Sequence, residues 1–190
     1  MQGIDVVKYI SFSKANGPGN RCVLWFQGCD KKCQGCCNPE LQEFKKINQS
    51  IDELALKINQ DIKKHNLRGI TLTGGEPLHL KNIGPIKDLI KKIEYEIDVF
   101  IFSGLEKQEI NQIDVGFSDL IIAGPYIKKL KRSKGLVSSS NQEIIRLSSK
   151  FNDVSDDEIL NGERIVEIHN SNGGIIISGL IDRKEILNGI

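Results

Sequence analysis

The sequence has no long apolar run, no excess of charge of one sign and no cysteine outside one short window, and each absence removes a class of function. The longest apolar run near its C-terminus, Ile175 to Ile177, falls far short of the roughly 20 residues that cross a bilayer. The opening stretch MQGIDVVKYI carries Asp5 and Lys8 among its apolar residues, which breaks the core of a secretory signal. No membrane association is expected. Lysine and arginine number 26 against 25 acidic residues, so the net field gives no drive toward nucleic acid. There is no internal repeat and no low-complexity linker, and 190 residues suit one domain better than two. The histidines, His65, His79 and His169, fall in no catalytic pattern.

What is present is a concentration of thiols. Cys22, Cys29, Cys33, Cys36 and Cys37 all lie between positions 22 and 37. Disulfide frameworks spread their cysteines across a fold, because distant cross-links restrict the unfolded chain most. Clustering instead favours metal binding in a reducing cytosol, so a cytoplasmic location is expected. Cys29-x3-Cys33-x2-Cys36 supplies three thiolates, whereas a closed iron–sulfur cluster or zinc site takes four protein ligands. Three thiolates on a 4Fe–4S cluster leave one iron open to a small chelating molecule. The same residues are also compatible with a zinc knuckle or a redox-active pair at Cys33 and Cys36, with Cys22, Cys37, His65, His79 or His169 as a fourth zinc ligand. Cys36, not its neighbour Cys37, keeps the spacing, and Cys22 reads as a small buried strand residue.

The pattern along the chain alternates strands and helices. Arg21 to Gln27 predicts a strand that ends just before the cysteine loop. Ser50 with Glu53 forms a capping box, and Ile51, Leu54, Ala55, Ile58 and Ile62 predict a helix running to about His65. Gly69 to Thr73 predicts a second strand, Ile83 to Ile93 a helix, Asp98 to Phe102 a strand, Leu105 to Ile113 a helical stretch and Asp119 to Ala123 a strand. This rhythm is that of parallel βα units, whose ligands gather at the C-terminal ends of the strands. Glu163 to Ile168 and Gly174 to Leu180, flanking Asn170-Ser171-Asn172-Gly173, predict a β-hairpin that covers a sheet edge. The core is expected over about 1–150 and this appendage over about 151–190.

Several loops after strands carry chemistry. Gly74-Gly75-Glu76 offers two glycines that permit close backbone approach and a carboxylate suited to a cationic group such as an ammonium. A tight turn leading to a helix at Pro77 is the bland alternative. Ser103-Gly104 is a further candidate ligand contact or a plain turn, and Asn141 a polar contact or a helix N-cap.

Cys29-x3-Cys33-x2-Cys36 followed by Gly74-Gly75-Glu76-Pro77 resembles the radical S-adenosylmethionine (SAM) superfamily. Gly17-Pro18-Gly19-Asn20-Arg21-Cys22, Trp25-Phe26-Gln27-Gly28, Gly124-Pro125-Tyr126 and Ser139-Ser140-Asn141-Gln142 are similar to activating enzymes of glycyl radical enzymes, nearest to the activator of anaerobic ribonucleotide reductase. The resemblance covers roughly residues 5 to 147. It implies an α/β fold, an incomplete parallel (βα) barrel with the C-terminal hairpin appended. It implies a 4Fe–4S cluster on Cys29, Cys33 and Cys36, and SAM held by Gly74, Gly75 and Glu76 with Ser103 and Asn141 nearby. Reductive cleavage of SAM would then give a 5′-deoxyadenosyl radical that takes hydrogen from a glycine of a partner enzyme, the cofactors supplying the hard chemistry. The chain departs from the pattern in two places. Gly35 and Cys37 stand where an aromatic often flanks the third cysteine, so an adenine contact must come from elsewhere, and Ala123 stands where related activators often carry an acid.

Lys128, Lys129, Lys131, Arg132 and Lys134 form a basic cluster, read either as a solvated loop or as a dock for an acidic electron donor such as a flavodoxin or ferredoxin-like protein. Within enzymes, the alternative is a radical SAM enzyme acting on a small molecule or peptide, like 7-carboxy-7-deazaguanine synthase. Outside enzymes, it is a non-catalytic zinc or iron–sulfur module.

Overall fold

The computed structural model describes residues 3–171 and 174–180. Its strands and helices run in the order β1 (Gly3–Ile4), β2 (Val6–Ser13), β3 (Arg21–Phe26), β4 (Gln49–Ser50), α1 (Ile51–His65), β5 (Gly69–Gly74), α2 (Leu80–Lys91), β6 (Asp98–Ser103), α3 (Lys107–Ile110), β7 (Leu120–Ala123), β8 (Glu143–Arg146), α4 (Asp156–Asn161), β9 (Glu167–Ser171) and β10 (Gly174–Ser178). A six-stranded sheet has the order β2-β3-β5-β6-β7-β8. Its four inner strands are mutually parallel, and β2 and β8 close the two edges antiparallel. The parallel register sets Phe26 beside Gly74 and Ser103 beside Ala123, so the loops that follow these strands leave from one edge of the sheet.

Side chains alternate between faces, as a strand period of two requires. Leu24, Phe26, Ile70, Leu72, Val99, Ile101 and Ile121 pack with Leu54, Ile58 and Ile62 of α1 and Ile86 and Leu89 of α2. On the other face Phe100, Leu120 and Ile122 meet Val137, Phe151 and Ile159. The inner strands are therefore covered on both faces, which explains why their sequences read as almost continuous apolar runs. Helix α1 starts where the capping pattern places it, with the Ser50 hydroxyl accepting the Glu53 N–H. No helix among the described residues is long and apolar enough to cross a membrane.

At the N-terminal ends of the strands sits a buried charge network. Arg21, first residue of β3, is fully buried and pairs with Asp98, first residue of β6. Its guanidinium also donates to Thr71 Oγ1 at 2.8 Å, Pro18 O at 2.9 Å and Ile70 O at 3.0 Å. Arg68 donates to the other Asp98 oxygen at 2.6 Å and reaches on to Asp153. Gly69 leaves room for the pair, since a Cβ there would lie 2.3 Å from Asp98 O and 2.8 Å from Arg21 Nη2.

The antiparallel edge strands β2 and β8 are not announced by the sequence pattern, helix α2 starts and ends a little earlier than expected, and two further elements differ in extent. The helical stretch over 105–113 shrinks to the single turn of α3, which ends at Ile110. The hairpin strands are Glu167–Ser171 and Gly174–Ser178, so the first begins four residues later than its apolar run. Glu167 fixes that start, because its carboxylate accepts the Ser13 hydroxyl and, at 2.8 Å, the Lys14 N–H at the end of β2. Ile176 packs against Ile10, Val23 and Trp25. Asn172 and Gly173 of the expected turn, and 181–190 of the expected appendage, lie outside the described residues.

Candidate functional site

The cysteine loop begins where β3 stops. Gly28 N–H donates to Leu41 O at 2.8 Å and Cys29 N–H to Gln42 O at 3.0 Å, which fastens the start of the loop to its exit. Within it, Cys36 N–H donates to Cys33 O at 3.2 Å and closes a turn. Cys29, Cys33 and Cys36 are half-buried, Cys37 is exposed, and Cys22 is fully buried in the core on β3.

The thiols differ in acidity. Burial pushes Cys29 and Cys33 up, against donation from the backbone of Lys31 and Tyr126 respectively. Cys36 moves the other way, down to about 6, because the Cys37 side chain hydrogen-bonds to it, with the Asn38 N–H and the Gln42 side chain adding to that against burial. The thiolate is the metal-binding form. Cys33 and Cys36 add to the upward push on Cys29. Among the described residues no group of three His, Cys, Asp or Glu side chains is gathered as one metal ion requires. Three cysteine thiols on one loop are the donor type that iron–sulfur clusters take.

The Gly-Gly-Glu turn is stitched to the same loop. Gly74 ends β5 at φ +106°, a left-handed value that favours glycine. At Gly75 a Cβ would lie 2.4 Å from Gly28 O, so the close approach of the β3 end itself demands glycine there. Gly75 N–H donates to Phe26 O and Glu76 N–H to Gly28 O, both at 2.8 Å. Glu76 thereby follows directly on a backbone tied to the residue before Cys29.

Glu76 is 1% exposed. Its Oε1 accepts the Leu78 N–H at 2.9 Å and the Ser103 hydroxyl at 2.8 Å, and its Oε2 accepts the Gly104 N–H at 2.7 Å. Burial pushes this carboxyl up to about 7, opposed by those three donors and by the nearby Lys31 charge. A carboxylate has about four lone-pair sites, and three are used, which leaves one for a cationic ligand group. Gly74, Gly75, Glu76 and Ser103 thus form one hydrogen-bonded unit at the strand ends, beside the thiols.

Asn141 stands apart from that unit. Its Nδ2 donates to Pro125 O at 2.8 Å, in the loop after β7, and the strand β8 follows it, so it caps no helix. Its Oδ1 is buried and has no hydrogen-bond partner among the described residues. An unsatisfied buried acceptor on a loop of this same sheet edge fits a ligand donor.

Three further features border the site. Tyr126 donates its N–H to Cys33, and its ring edge would lie 3.5 Å from a Cβ on Gly35. It provides the aromatic ring beside the cysteine loop that positions 35 and 37 lack, and its place after Gly124-Pro125 was the available signal. Lys31 and Glu109 bond across the loop at 2.7 Å, a contact no local pattern announces. The basic cluster also borders the loop, with Lys128 Cδ 3.6 Å from a Cβ built on Gly35.

The family model described as a 4Fe-4S single cluster domain matches residues 15–145. The anaerobic ribonucleoside-triphosphate reductase-activating protein of Enterobacteria phage T4 is 32% identical over 133 residues, covering 68% of this chain and 85% of that protein. The proteins of the same name from Salmonella typhimurium and Vibrio cholerae are 29% and 28% identical over 146 and 151 residues. They cover 73% and 74% of this chain and 95% and 97% of their own lengths.

Proposed function

We propose, from the premise that the chain belongs to the 4Fe-4S single cluster domain family and to the anaerobic ribonucleoside-triphosphate reductase-activating proteins, that it is a radical SAM activase. Its partner would be a glycyl radical enzyme, an anaerobic ribonucleotide reductase. Cys29, Cys33 and Cys36 would hold a 4Fe–4S cluster. Gly74, Gly75, Glu76, Ser103 and Asn141 would hold SAM. When bound, these cofactors supply a one-electron reductive cleavage that ends in removal of a hydrogen atom from a backbone glycine of the partner.

The chain's own contribution is placement. The observation that carries the reading is the tie between Glu76 N–H and Gly28 O, which sets a buried carboxylate beside the loop bearing three thiols. Glu76, held by Ser103, Leu78 and Gly104, would accept from the SAM ammonium through its remaining lone pair. Asn141 Oδ1 would accept a second polar group. We read the open six-stranded sheet as the incomplete (βα) barrel of the radical SAM type, whose lateral opening would admit a protein loop. The exposed thiol of Cys37 and the clustered cysteines suit a reducing cytoplasm.

The electron would come from an acidic flavodoxin or ferredoxin-like protein docked on Lys128, Lys129, Lys131, Arg132 and Lys134. Neutralising these residues should slow turnover with the protein donor and spare it with dithionite, and equal loss with both would reject this dock. For the activity itself, the protein is reconstituted anaerobically with iron and sulfide, reduced, and mixed with SAM and the reductase. A glycyl radical signal in electron paramagnetic resonance is expected. SAM cleavage without that signal would point to a small-molecule substrate, and bound zinc without sulfide would overturn the reading.

A further inference from the structure

Lys31 lies between the first two cysteines of the loop, and its ammonium donates to both carboxylate oxygens of Glu109, at 2.7 and 2.8 Å. Glu109 belongs to α3, the turn that follows β6, where its Oε2 also accepts the Glu106 N–H at 2.8 Å in a capping box. The stem of Lys31 passes Gly104 on the way. A Cβ on Gly104 would lie 3.2 Å from Lys31 Cγ and 3.3 Å from Glu76 Oε2. Lys31 therefore bridges from the thiol loop, past the residue whose N–H holds Glu76, to the next element of the sheet edge.

The backbone bonds at Gly28 and Cys29 fasten only the base of the loop. Its middle is held further by the Tyr126 N–H on Cys33, the Gln42 side chain on Cys36 and the Lys31–Glu109 pair, and the last of these reaches α3. A charge-assisted contact of one ammonium to both oxygens of a carboxylate sets the distance between the loop and α3. The pair is only partly shielded, with side chains 22% and 45% exposed. A contact of that kind contributes little to global stability, so its effect falls on the loop.

We propose that Lys31 and Glu109 are positioning residues that set where the cysteine loop lies over the Glu76 carboxylate, and so hold the metal-binding thiols in register with the SAM-binding groups. This rests on the activase reading above. Lys31 meets the Cys29 thiol through its backbone N–H alone, and its ammonium is engaged by Glu109. They act through the loop.

The test uses the full chain with Lys31→Met, Glu109→Gln and, as the conservative control, Lys31→Arg. Glu109→Gln retains an acceptor for the Glu106 N–H, so α3 stays capped. Hydrogen–deuterium exchange of the cluster-free protein should rise roughly 1.5- to 5-fold over residues 29–38 in the Met and Gln variants, the range expected for loss of one partly shielded charge pair. Exchange in α1 and β5 should stay unchanged, and Lys31→Arg should resemble the wild type. After reconstitution, iron and sulfide content should persist while SAM affinity, read from the cluster's paramagnetic spectrum, falls over the same range. Unchanged exchange over 29–38, or raised exchange with unchanged SAM affinity, would overturn the proposal. Failure of the activase reading shows separately, as a wild-type protein that takes up no cluster or no SAM.

Discussion

The Ser103 hydroxyl lies 2.8 Å from Glu76 Oε1 and joins the end of β6 to the turn after β5. A donor to a buried carboxylate is worth about 1.5–3 kcal/mol. Ser103→Ala should therefore weaken SAM binding by about tenfold or more, with iron content unchanged. Titrating SAM against the reduced protein and following its paramagnetic spectrum checks this, and unaltered affinity would remove Ser103 from the site.

The cysteines should separate into ligands and bystanders. Cys29→Ser, Cys33→Ser and Cys36→Ser are each expected to lose most bound iron and sulfide. Cys37→Ser should retain both while assembling more slowly, because the Cys37 side chain is what most favours the Cys36 thiolate. Cys22→Ala should leave iron content intact and cost stability alone. Iron and sulfide analysis after anaerobic reconstitution reads all five.

At the opposite end of the strands, Asp98→Asn would leave Arg21 buried with too little compensating charge. Breaking a buried pair by removing one partner costs about 3–5 kcal/mol. Urea unfolding should show a loss of that size. Gly69→Ala should also be strongly destabilising, since its Cβ would meet Asp98 O at 2.3 Å. Near-wild-type stability in both would mean that the network is not what holds β3, β5 and β6 together.

Hairpin attachment should depend on pH through Glu167. Burial alone would raise its carboxyl, but the Ser13 hydroxyl, the Lys14 and Ala15 N–H groups and the His169 charge hold it below the usual glutamate range. A depressed carboxylate stabilises the folded form above its unfolded pKa of about 4.3, and that contribution is lost as pH falls through the lower folded value. Proteolysis between β8 and β9 should therefore accelerate on acidification below about pH 4. Glu167→Gln should cleave faster at neutral pH and lose most of this dependence. A pH profile identical to wild type would place the anchor elsewhere.

The strands and α1 were legible because their determinants are local. Arg21 to Phe26 and Asp98 to Phe102 read as strands from apolar content, and Ser50 with Glu53 marks a helix start wherever it occurs. The thiol triad and Gly74-Gly75-Glu76 were legible as motifs. The reason for Gly75 was not, because it is the Gly28 carbonyl arriving from another strand. Asp98 read as the polar start of a strand, and only the folded chain sets it against Arg21 and Arg68. Lys31 and Glu109 were invisible for the same reason, and each alone passes as an ordinary surface charge. Helix α3 fell short of its pattern since one capped turn already satisfies Ile110, the residue it buries.

The Arg21–Asp98 pair and the Glu76 unit occupy opposite ends of the same strands. Consequently the loops at one end can vary in length and chemistry without disturbing the charge network at the other. On such a scaffold, residues of the 28–38 and 124–142 segments other than the thiols and the site contacts can change without reaching that network. Substitutions that spread into Pro18, Arg21, Gly69 or Asp98 would be filtered first by whether the chain folds at all.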